Sequence, residues 1–507
     1  MDLLIHEFVW EEIKTMISDF DTTFEKFSKD EFTFVQKEEK LHDKKLQTKP
    51  VGYVKDALIR FSKNKGSLIC FIIIVLLILY AIFVPIFTSY GVSYKDPYYS
   101  YAVPRIGFFS NLGFWDGCQT RDVNQQSYEY YSRIPGAIKK DYGTVEHNIA
   151  GRIQEWHKIK IDTYNKVGFV KKLLTKEEYE KAIAYEKSSG KQLFYPVIDE
   201  KLINNPSYKA DQNAWFLTDS RGRVKLDANN KVENIYIKDE KSPDGYAYFL
   251  SKMNNTQFET RVLYSEWYLY EHGHYASYIF GADSNGYDIC SRLASGARLS
   301  LLLSLVVAAI NLFIGIIIGA LEGYYGGTFD LLMERLKEIL YEVPFVVCMS
   351  LFQLYFSHKI GPVVSMLFAF CFFGWIATSS TVRAQFYRFK GQDYVMAART
   401  LGAKDSRLIF KHVLPNSIGF IITTSVLTMP GVILSESILT YLGIVNLQSS
   451  SITSVGAMLK NGQPVLSTYP HCLFFPALFI SILLVCFNEF GNGLRDAFNP
   501  SLRGADE

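Results

Sequence analysis

The sequence predicts an all-α polytopic membrane protein with six transmembrane helices and a small extracellular α+β domain inserted between the first two. Apolar residues make up 49% of the 507 residues, and they are concentrated in separate stretches. The first stretch, 67–87, carries no charge over the roughly 20 residues that a helix needs to cross a bilayer. A long polar segment, 88–280, separates it from the next stretch.

The first stretch is interpreted as a membrane helix and not as a cleaved signal peptide. It is too long, lies far from Met1 and is followed by no small-residue cleavage pattern. One further stretch, 343–357, is long enough to span only if its helix begins near Leu336. Four other uncharged stretches complete the set: 299–321, 360–381, 417–435 and 472–488.

The distribution of Lys and Arg predicts the orientation of the spans. Basic residues precede the first span and fill the loop between the fourth and fifth, and six spans place these segments on the same side. Short basic loops stay in the cytoplasm, so both termini are expected to be cytoplasmic in the plasma membrane. The segment 88–280 is then extracellular, because long loops are translocated largely regardless of charge.

These predictions divide the chain into five parts. Residues 53–65 fit a helix lying on the inner membrane surface, or equally a plain lead-in to the first span. The net charge of +2 is too small to indicate a nucleic-acid partner. The first three of the five parts are a cytoplasmic N-terminal region with the interfacial helix (1–66), the first span (67–87) and the insertion (88–280). The fourth is a membrane core, 281–502, which contains the other five spans and a cytoplasmic loop at 382–416. The fifth is a tail (503–507).

Within the insertion, Thr175 followed by Glu178 is typical of a capping box that opens a helix, and Gly190 is a plausible end. The segment 214–237 favours short strands joined by turns at Arg221-Gly222 and Asn229-Asn230. The density of Tyr fits either a docking surface or an ordinary core with aromatics near the membrane. The tyrosines in question are Tyr94, Tyr98, Tyr99, Tyr101, Tyr128, Tyr130 and Tyr131.

Five of the seven cysteines lie in apolar stretches, where a thiol behaves as a small hydrophobe. Cys118 and Cys290 lie in polar sequence and are widely separated, and the sequence leaves open whether they pair. The spacing predicts no metal site.

The loop 393–416 predicts a short helix–turn–helix that protrudes into the cytoplasm. Ala397 and Ala398 would allow another surface to approach the backbone closely, and Gly402 can adopt the left-handed conformation that ends a helix. Pro415 suits the first turn of the following helix, so the second charged helix is expected to stop there. A merely solvated loop is the alternative.

This loop resembles the EAA motif of ABC importer permeases, with Ala397, Ala398, Gly402, Leu414 and Pro415 on the pattern. Met396 and His412 stand where that motif has Glu and Ile. In the family the loop forms a coupling helix that docks on the ATPase subunit. The resemblance thus implies a coupling site made of Ala397, Ala398, Gly402, Ala403, Lys404, Asp405, Arg407, Leu414 and Pro415.

Two further segments, 280–301 and 487–502, resemble the C-type permease subunit of oligopeptide and dipeptide ABC transporters. In the second segment, Asn492 and Asn499 replace the usual Asp. The resemblance implies the type I permease fold over about 280–502 and leaves the insertion outside the usual pattern. The signature residues are Asp283, Gly286, Asp288, Arg292, Gly296, Arg298, Glu436, Asn488, Arg495 and Asp496.

The implied function is that of a permease subunit forming half of a peptide pathway. The implied partners are a homologous B-type permease, two ATPases that carry ATP and Mg²⁺, and an extracellular substrate-binding lipoprotein, which sets the peptide preference. No G-x-x-x-x-G-K-[ST] phosphate loop or catalytic motif occurs in the sequence, so the chain is not expected to be an enzyme.

Three alternatives stay open. A permease for nickel or another small solute would share the resemblance, whereas a receptor or adhesin would act through the insertion. An ion-coupled transporter is less favoured, because the spans carry essentially no ionisable residues. Asn311 is expected to form a helix-to-helix hydrogen bond. Glu436 could line a pathway, but a structural role near water at a span end is favoured.

Overall fold

The computed structural model describes residues 53–110, 113–149, 151–203, 208–219, 223–253, 256–449 and 452–498. The chain divides into two compact units, Met1–Asp56 and Ala57–Glu507, and the membrane spans and all the strands belong to the second unit. Most of the predicted N-terminal region, the tail 503–507, Asn499 and the Arg221-Gly222 pair lie outside the described residues.

The described residues form helices over most of the membrane core and strands in the segment 88–280. In chain order the helices are α1 (Tyr53–Lys63), α2 (Lys65–Phe87), α3 (Gly107–Ser110), α4 (Gln125–Ser132), α5 (Lys176–Ser189), α6 (Tyr264–His272), α7 (Ile289–Tyr325), α8 (Gly327–Tyr341), α9 (Phe345–Ile360), α10 (Pro362–Lys390), α11 (Asp393–Thr400), α12 (Asp405–Arg407), α13 (Leu414–Val426), α14 (Met429–Tyr441), α15 (Val455–Gly462) and α16 (His471–Phe498). The strands are β1 (Cys118–Val123), β2 (Ile138–Ile149), β3 (Arg152–Asp162), β4 (Phe169–Thr175), β5 (Phe194–Tyr195), β6 (Phe249–Lys252) and β7 (Gln257–Leu263).

Five helical segments of the described chain are long and apolar enough to cross a membrane. They cover five of the six uncharged stretches of the sequence, so the predicted polytopic helical architecture is confirmed. The segments are α2, α7, α10, the consecutive helices of Asp405–Tyr441, and α16.

A sixth span depends on α8 and α9, which meet at 78°. The sequence required one helix starting near Leu336, but the helix breaks between Tyr341 and Phe345. Pro344 explains the break, because proline lacks an N–H and disfavours a helical residue before it. Alone, α9 is about 24 Å long at 1.5 Å per residue, which is shorter than a bilayer core of about 30 Å. The pair gives six spans if it is one broken span.

α7 and α10 pack closely through a row of glycines on α7. A Cβ placed on Gly319 would lie 2.3 Å from the carbonyl oxygen of Ser379, and one on Gly323 would lie 2.4 Å from the Cβ of Phe386. Small residues at four-residue spacing allow such backbone contact between membrane helices. Helix α7 is therefore held against α10 near the end that leads into the loop 393–416.

The segment 88–280 contains two antiparallel sheets. One has the order β1-β3-β2, and the other has the order β4-β7-β5 with β6 also paired to β7. The capping box prediction is confirmed: the Thr175 side chain accepts the Glu178 N–H, and the Glu178 carboxylate accepts the Thr175 N–H at 2.8 Å. Gly190 ends α5 in the left-handed conformation, as expected.

The hairpins predicted for 214–237 are present as antiparallel bridges. Leu217 N donates to Glu233 O at 2.9 Å, and Lys225 N donates to Leu217 O at 2.9 Å. The second turn contains Asn230 at φ +63°, a left-handed conformation that Asn tolerates well. The predicted turn at 229–230 is therefore confirmed.

Tyrosines form much of the core of the inserted segment. Tyr99, Tyr164, Tyr264 and Tyr278 are all buried in one cluster. The Tyr264 hydroxyl donates to the Asp96 carboxylate at 2.6 Å, and burial raises the pKa of Asp96. The core interpretation therefore holds for Tyr99, whereas Tyr98 is exposed and the tyrosines at 128–131 are half-buried.

All seven cysteines lie within the described residues, and all are free thiols. Cys118 and Cys290 do not pair in this structure. Burial raises the pKa of Cys118 to about 12, so its thiol stays protonated at neutral pH.

Candidate functional site

The loop between α10 and α13 folds as two helical pieces around Gly402. Helix α11 ends in a Schellman motif: Gly402 has φ +82°, its N–H donates to Arg399 O at 2.9 Å, and Ala403 N donates to Ala398 O at 3.1 Å. No other group lies within 4 Å of a Cβ placed on Gly402, so the left-handed φ is the feature that requires glycine there. The predicted helix break at Gly402 is confirmed.

The chain after Gly402 remains helical beyond the predicted stop. A π-helix at Leu408–Val413 follows α12 and leads into α13, and Pro415 lies in the first turn of α13. The stop predicted at Leu414-Pro415 is wrong, because the chain stays helical from Asp405 through the π-helix to Val426. Proline has no N–H to donate to the preceding turn. The π-helix just before Pro415 changes the local hydrogen-bond pattern, so the helix can continue through the proline.

The protrusion is fixed to the ends of α7 and α10 by a small apolar core. Val395, Leu408 and Val413 are buried against Tyr324 of α7 and Phe386 of α10. A polar contact reinforces this core, because the Tyr324 hydroxyl donates to the Asp405 carboxylate at 2.5 Å. The predicted coupling residue Asp405 thus joins the loop to α7.

The predicted coupling residues differ in exposure. Ala398, Ala403 and Leu414 pack partly against the apolar core, whereas Ala397, Lys404, Asp405, Arg407 and Pro415 have exposed surface. The most exposed apolar side chain here is one that sequence analysis did not single out: Leu401 at the turn, 88% exposed. Its position directly before the helix-ending Gly402 is the signal that could have identified it.

Beside the protrusion lies an ion-pair cluster in which Glu322, Asp330 and Lys337 are buried. Its other two members, Glu334 and Arg383, are half-buried. Lys337, 4% exposed, pairs with the fully buried Glu322 at 2.9 Å and also with Glu334. Arg383 holds Asp330 through Nε–Oδ1 at 2.5 Å and Nη2–Oδ2 at 2.8 Å. The cluster links α7, α8 and α10.

The uncharged stretches agree with the expectation that the spans carry essentially no ionisable residues, but the helices that contain them depart from it at this end, because they extend to charged residues. Glu322 belongs to α7 and Arg383 to α10, both of which are candidate spans. The apolar stretches at 299–321 and 360–381 end just before these residues, but the helices continue. Asn311 also departs from expectation: it packs against Gly374, and its Oδ1 is a buried atom without a hydrogen-bond partner among the described groups.

The first signature segment builds the start of α7, at the far end from the protrusion. Asp288 caps α7 by accepting the N–H groups of Cys290 and Ser291, and Asp283 accepts the N–H of Tyr287 at 3.0 Å. Burial raises the pKa of Asp283. A Cβ on Gly286 would lie 1.8 Å from the carbonyl oxygen of Asp96. These residues therefore fix the entry into α7.

The next signature residues bring the loop after α14 against α7. Arg292 donates to Ser449 O at 3.1 Å, and Gly296 lies against the backbone of Ser454. Arg298 is half-buried. Because α7 has 37 residues, about 55 Å of helix at 1.5 Å per residue connects this region with the protrusion.

Glu436 is fully buried and hydrogen-bonded by hydroxyl groups. Ser300 Oγ donates to its carboxylate at 2.7 Å, and Thr440 Oγ1 lies 3.3 Å from it. The reason given for a structural role, access to water at a span end, is therefore wrong. Its carboxylate is satisfied inside the protein.

The C-terminal signature lies along α16, and its glycines serve packing. A Cβ on Gly493 would lie 2.0 Å from Ser67 Oγ of α2, whose hydroxyl donates to Glu489 O at 3.1 Å. The signature residues Asn488, Arg495 and Asp496 are exposed, and only a weak 4.0 Å ion pair joins the last two. The structure thus places the signature residues at both ends of the helices and does not gather them into one centre.

Within the described residues, no group of three His, Cys, Asp or Glu side chains is arranged to hold a metal ion. The site that the geometry favours is the protrusion of residues 393–416, because its apolar core rests on α7 and α10.

Comparison with known proteins bears on the family to which the chain belongs. The family described as the binding-protein-dependent transport system inner membrane component matches residues 311–504, and the N-terminal transmembrane domain of oligopeptide transport permease C matches residues 52–104. Neither match extends into residues 105–310.

Curated relatives align over less than half of this chain but over most of their own length. The oligopeptide transport system permease protein OppC of Bacillus subtilis is 41% identical over 224 residues, 44% of this chain and 72% of that protein. The dipeptide transport system permease protein DppC of Bacillus subtilis is 39% identical over 45% of this chain and 70% of its own. The oligopeptide transport system permease protein OppC of Escherichia coli is 36% identical over 46% of this chain and 74% of its own length.

Proposed function

This chain belongs to the family of oligopeptide and dipeptide transport permeases of the C type and is a permease subunit of a peptide ABC importer, and we propose that the protrusion of residues 393–416 couples it to a separate ATPase. The observation that carries the proposal is the attachment of this protrusion. Its apolar core rests directly on α7 and α10, while Leu401 at its turn is left uncovered.

The attachment allows the protrusion to act as a lever. Its second half continues without a helical break into α13, which belongs to a candidate span, so a push on the turn reaches that span directly. The contact between Tyr324 and Asp405 carries the same push to α7. The ion-pair cluster holds α7, α8 and α10 together, so these helices would move as a group.

The proposed assembly contains this subunit, a homologous B-type permease, two ATPases and a substrate-binding lipoprotein. ATP and Mg²⁺ would be bound by the ATPases, because this chain has no phosphate loop. Closure of the ATPases would press on the protrusion and turn the pathway outward, and hydrolysis would return it inward. The chain itself would bind peptide in passing and catalyse no reaction.

We further propose that both termini are cytoplasmic and that the segment 88–280 is extracellular, where it receives the binding protein or shapes the entrance. The inserted segment is joined to the loop that leads into α16. Gln119 Nε2 donates to Thr468 O at 2.6 Å, and the rings of Tyr101 and Tyr469 stack at 4.3 Å. A protein that docks on the insertion could therefore act on the start of α16.

Replacing Leu401 with Asp tests the coupling proposal. The side chain is 88% exposed, so the change leaves the fold intact, but it removes an apolar anchor and places a charge in the contact with the ATPase. We expect peptide uptake by the complete transporter to fall at least about tenfold, as for loss of an interface anchor worth about 1.4 kcal/mol.

The matched control is Leu226→Asp, which changes an exposed leucine of the inserted segment. The control is read by ATPase binding, which should stay normal because residue 226 lies in the inserted segment and not in the protrusion. Full uptake together with normal ATPase binding in the Leu401→Asp transporter would refute coupling through this turn.

A further inference from the structure

A second uncovered apolar surface lies on the inserted segment, at the end of the bundle away from the protrusion. It consists of Phe108, Phe109, Phe114 and Trp115, here called the aromatic patch. Phe108 is 77% and Phe114 75% exposed, and the other two are also exposed. No charged residue occurs between Gly107 and Trp115. Exposed apolar patches of this kind mark an interaction with a partner or a membrane.

The aromatic patch is held on a fixed base. Ile106 N donates to Trp115 O at 2.9 Å, and Gly117 N donates to Pro104 O at 3.1 Å, so the loop between them is closed by backbone hydrogen bonds. Charged residues lie at this base, where Asp116 pairs with Lys160. The two most exposed rings, Phe108 and Phe114, therefore form an apolar tip above a polar base.

The aromatic patch is continuous with the start of a membrane helix. Trp115 lies 6.3 Å from Phe475 in the second turn of α16, and Phe475 stacks on Phe280 at 4.3 Å. On α16 itself, exposed apolar side chains follow at the spacing of one helix face: Phe474, Leu478, Ile482 and Val485. On a candidate span, such a face is suited to contact with lipid.

We propose that the aromatic patch inserts into the lipid interface beside the start of α16. The ring contact with Phe475 places Trp115 near the end of the span, the level at which Trp is enriched in membrane proteins. Phe108 and Phe114 then enter the boundary between headgroups and acyl chains. Peripheral apolar groups are typically buried there by about 5–10 Å. The patch anchors the inserted segment and sets its height above the membrane.

The aromatic patch could instead be covered by protein or be exposed to water. A partner subunit of the transporter would cover the patch with protein, and an unoccupied patch would face water. Lipid is favoured because Trp115 contacts the start of a candidate span at Phe475, and the neighbouring ring of Phe474 begins the exposed face of α16.

Fluorescence quenching in the complete transporter distinguishes these occupants. The transporter is placed in nanodiscs of phosphatidylcholine and phosphatidylglycerol whose acyl chains carry bromine either near the carbonyl end or near the middle. The chain has six Trp residues, so the signal of Trp115 is taken as the difference between the unmodified protein and Trp115→Phe. The control signal is that of Trp156 on β3, obtained in the same way with Trp156→Phe.

We expect bromine near the carbonyl end to quench the Trp115 signal at least about twofold more than the Trp156 signal, because interfacial Trp lies at that depth. Bromine at the middle of the chain should quench Trp115 less. Quenching of Trp115 by aqueous acrylamide but not by brominated lipid would overturn the proposal in favour of water. Quenching by neither would overturn it in favour of a protein partner.

The variant with both Phe108→Ser and Phe114→Ser tests insertion of the tip itself. Both side chains are exposed, so the fold does not depend on them. We expect the lipid quenching of Trp115 to fall by at least about half, since the apolar groups that hold the loop in the interface are gone. Unchanged quenching would show that Trp115 is merely next to α16 and that the tip is not inserted.

Discussion

At the scale of single residues, several signature positions matter for backbone geometry more than for side-chain chemistry. Gly286 combines a left-handed φ of +80° with a backbone neighbour, since its missing Cβ would overlap the carbonyl of Asp96. Gly296 and Gly493 likewise lie against neighbouring groups that leave no room for a side chain. A sequence motif identifies these glycine positions, but it does not show which neighbouring group requires glycine there.

Gly286→Ala should destabilise the protein strongly. The left-handed φ alone costs an L-residue about 1–2 kcal/mol, and the contact with Asp96 adds displacement of the backbone. Gly273→Ala is the matched control, because Gly273 has φ +74° but nothing lies within 4 Å of its Cβ position. Thermal unfolding of the purified transporter should show a clearly larger fall in Tm for Gly286→Ala. Equal shifts would contradict the role of the Asp96 contact.

The environment of Lys166 makes the stability of the folded protein depend on pH. Burial, with a smaller contribution from Arg121, lowers the pKa of Lys166 to about 8, and its ammonium lies 5.8 Å from the centre of the Tyr469 ring. The unfolded chain keeps the ordinary, higher lysine pKa. Between the two pKa values the unfolded state binds more protons, so this group makes stability rise with pH above about 8.

Lys166→Met should therefore raise the Tm near pH 7, where the buried charge costs on the order of 2 kcal/mol, less the attraction of the Tyr469 ring. The gain should shrink as the pH approaches 10. Thermal unfolding at several pH values measures it. A gain that is constant with pH would show that Lys166 is not the titrating group.

At the scale of elements, α8 is held by ion pairs that the sequence pattern does not reveal. Lys337 and Glu322 are 15 positions apart and belong to different helices, so their pairing depends on how α8 turns back along α7 and α10. The turn at Gly326-Gly327, both with positive φ, permits that reversal. The break before α9 then follows from Pro344.

Lys337→Met alone should be strongly destabilising, because it leaves the fully buried Glu322 without its cation. Breaking a buried pair in this way costs about 3–5 kcal/mol. The double variant Glu322→Gln, Lys337→Met should recover most of that loss, since both charges are gone. Tm and the yield of assembled transporter are the measurements.

Arg335→Met is the control on the same helix, since Arg335 pairs with Glu338 at the surface. It should change the stability by less than about 1 kcal/mol. A Lys337→Met protein as stable as the Arg335→Met protein would mean that the buried pair contributes nothing to the folded state.

At the scale of the whole molecule, orientation in the membrane follows from placing the protrusion in the cytoplasm. Helix α7 connects the protrusion to the inserted segment, so the two are expected on opposite sides. Single cysteines at Tyr142, exposed on β2, and at Lys404 in the protrusion can report this.

In intact cells, a membrane-impermeant maleimide should label Tyr142→Cys and should label Lys404→Cys only after the cells are opened. The unmodified protein gives the background from the seven native thiols, which are buried or half-buried. Labelling of Lys404→Cys in intact cells would show that the proposed orientation is inverted.

The sequence by itself determined the positions of the apolar helices, the capping box at Thr175, the helix end at Gly402 and the family. These depend on local features: apolar length, short-range hydrogen bonds and motif spacing. Only the tertiary structure decided that Glu322 pairs with Lys337, that tyrosines build the core of the inserted segment, and that the aromatic patch lies beside α16. Each of these depends on contacts between residues far apart in the chain, which local patterns do not specify.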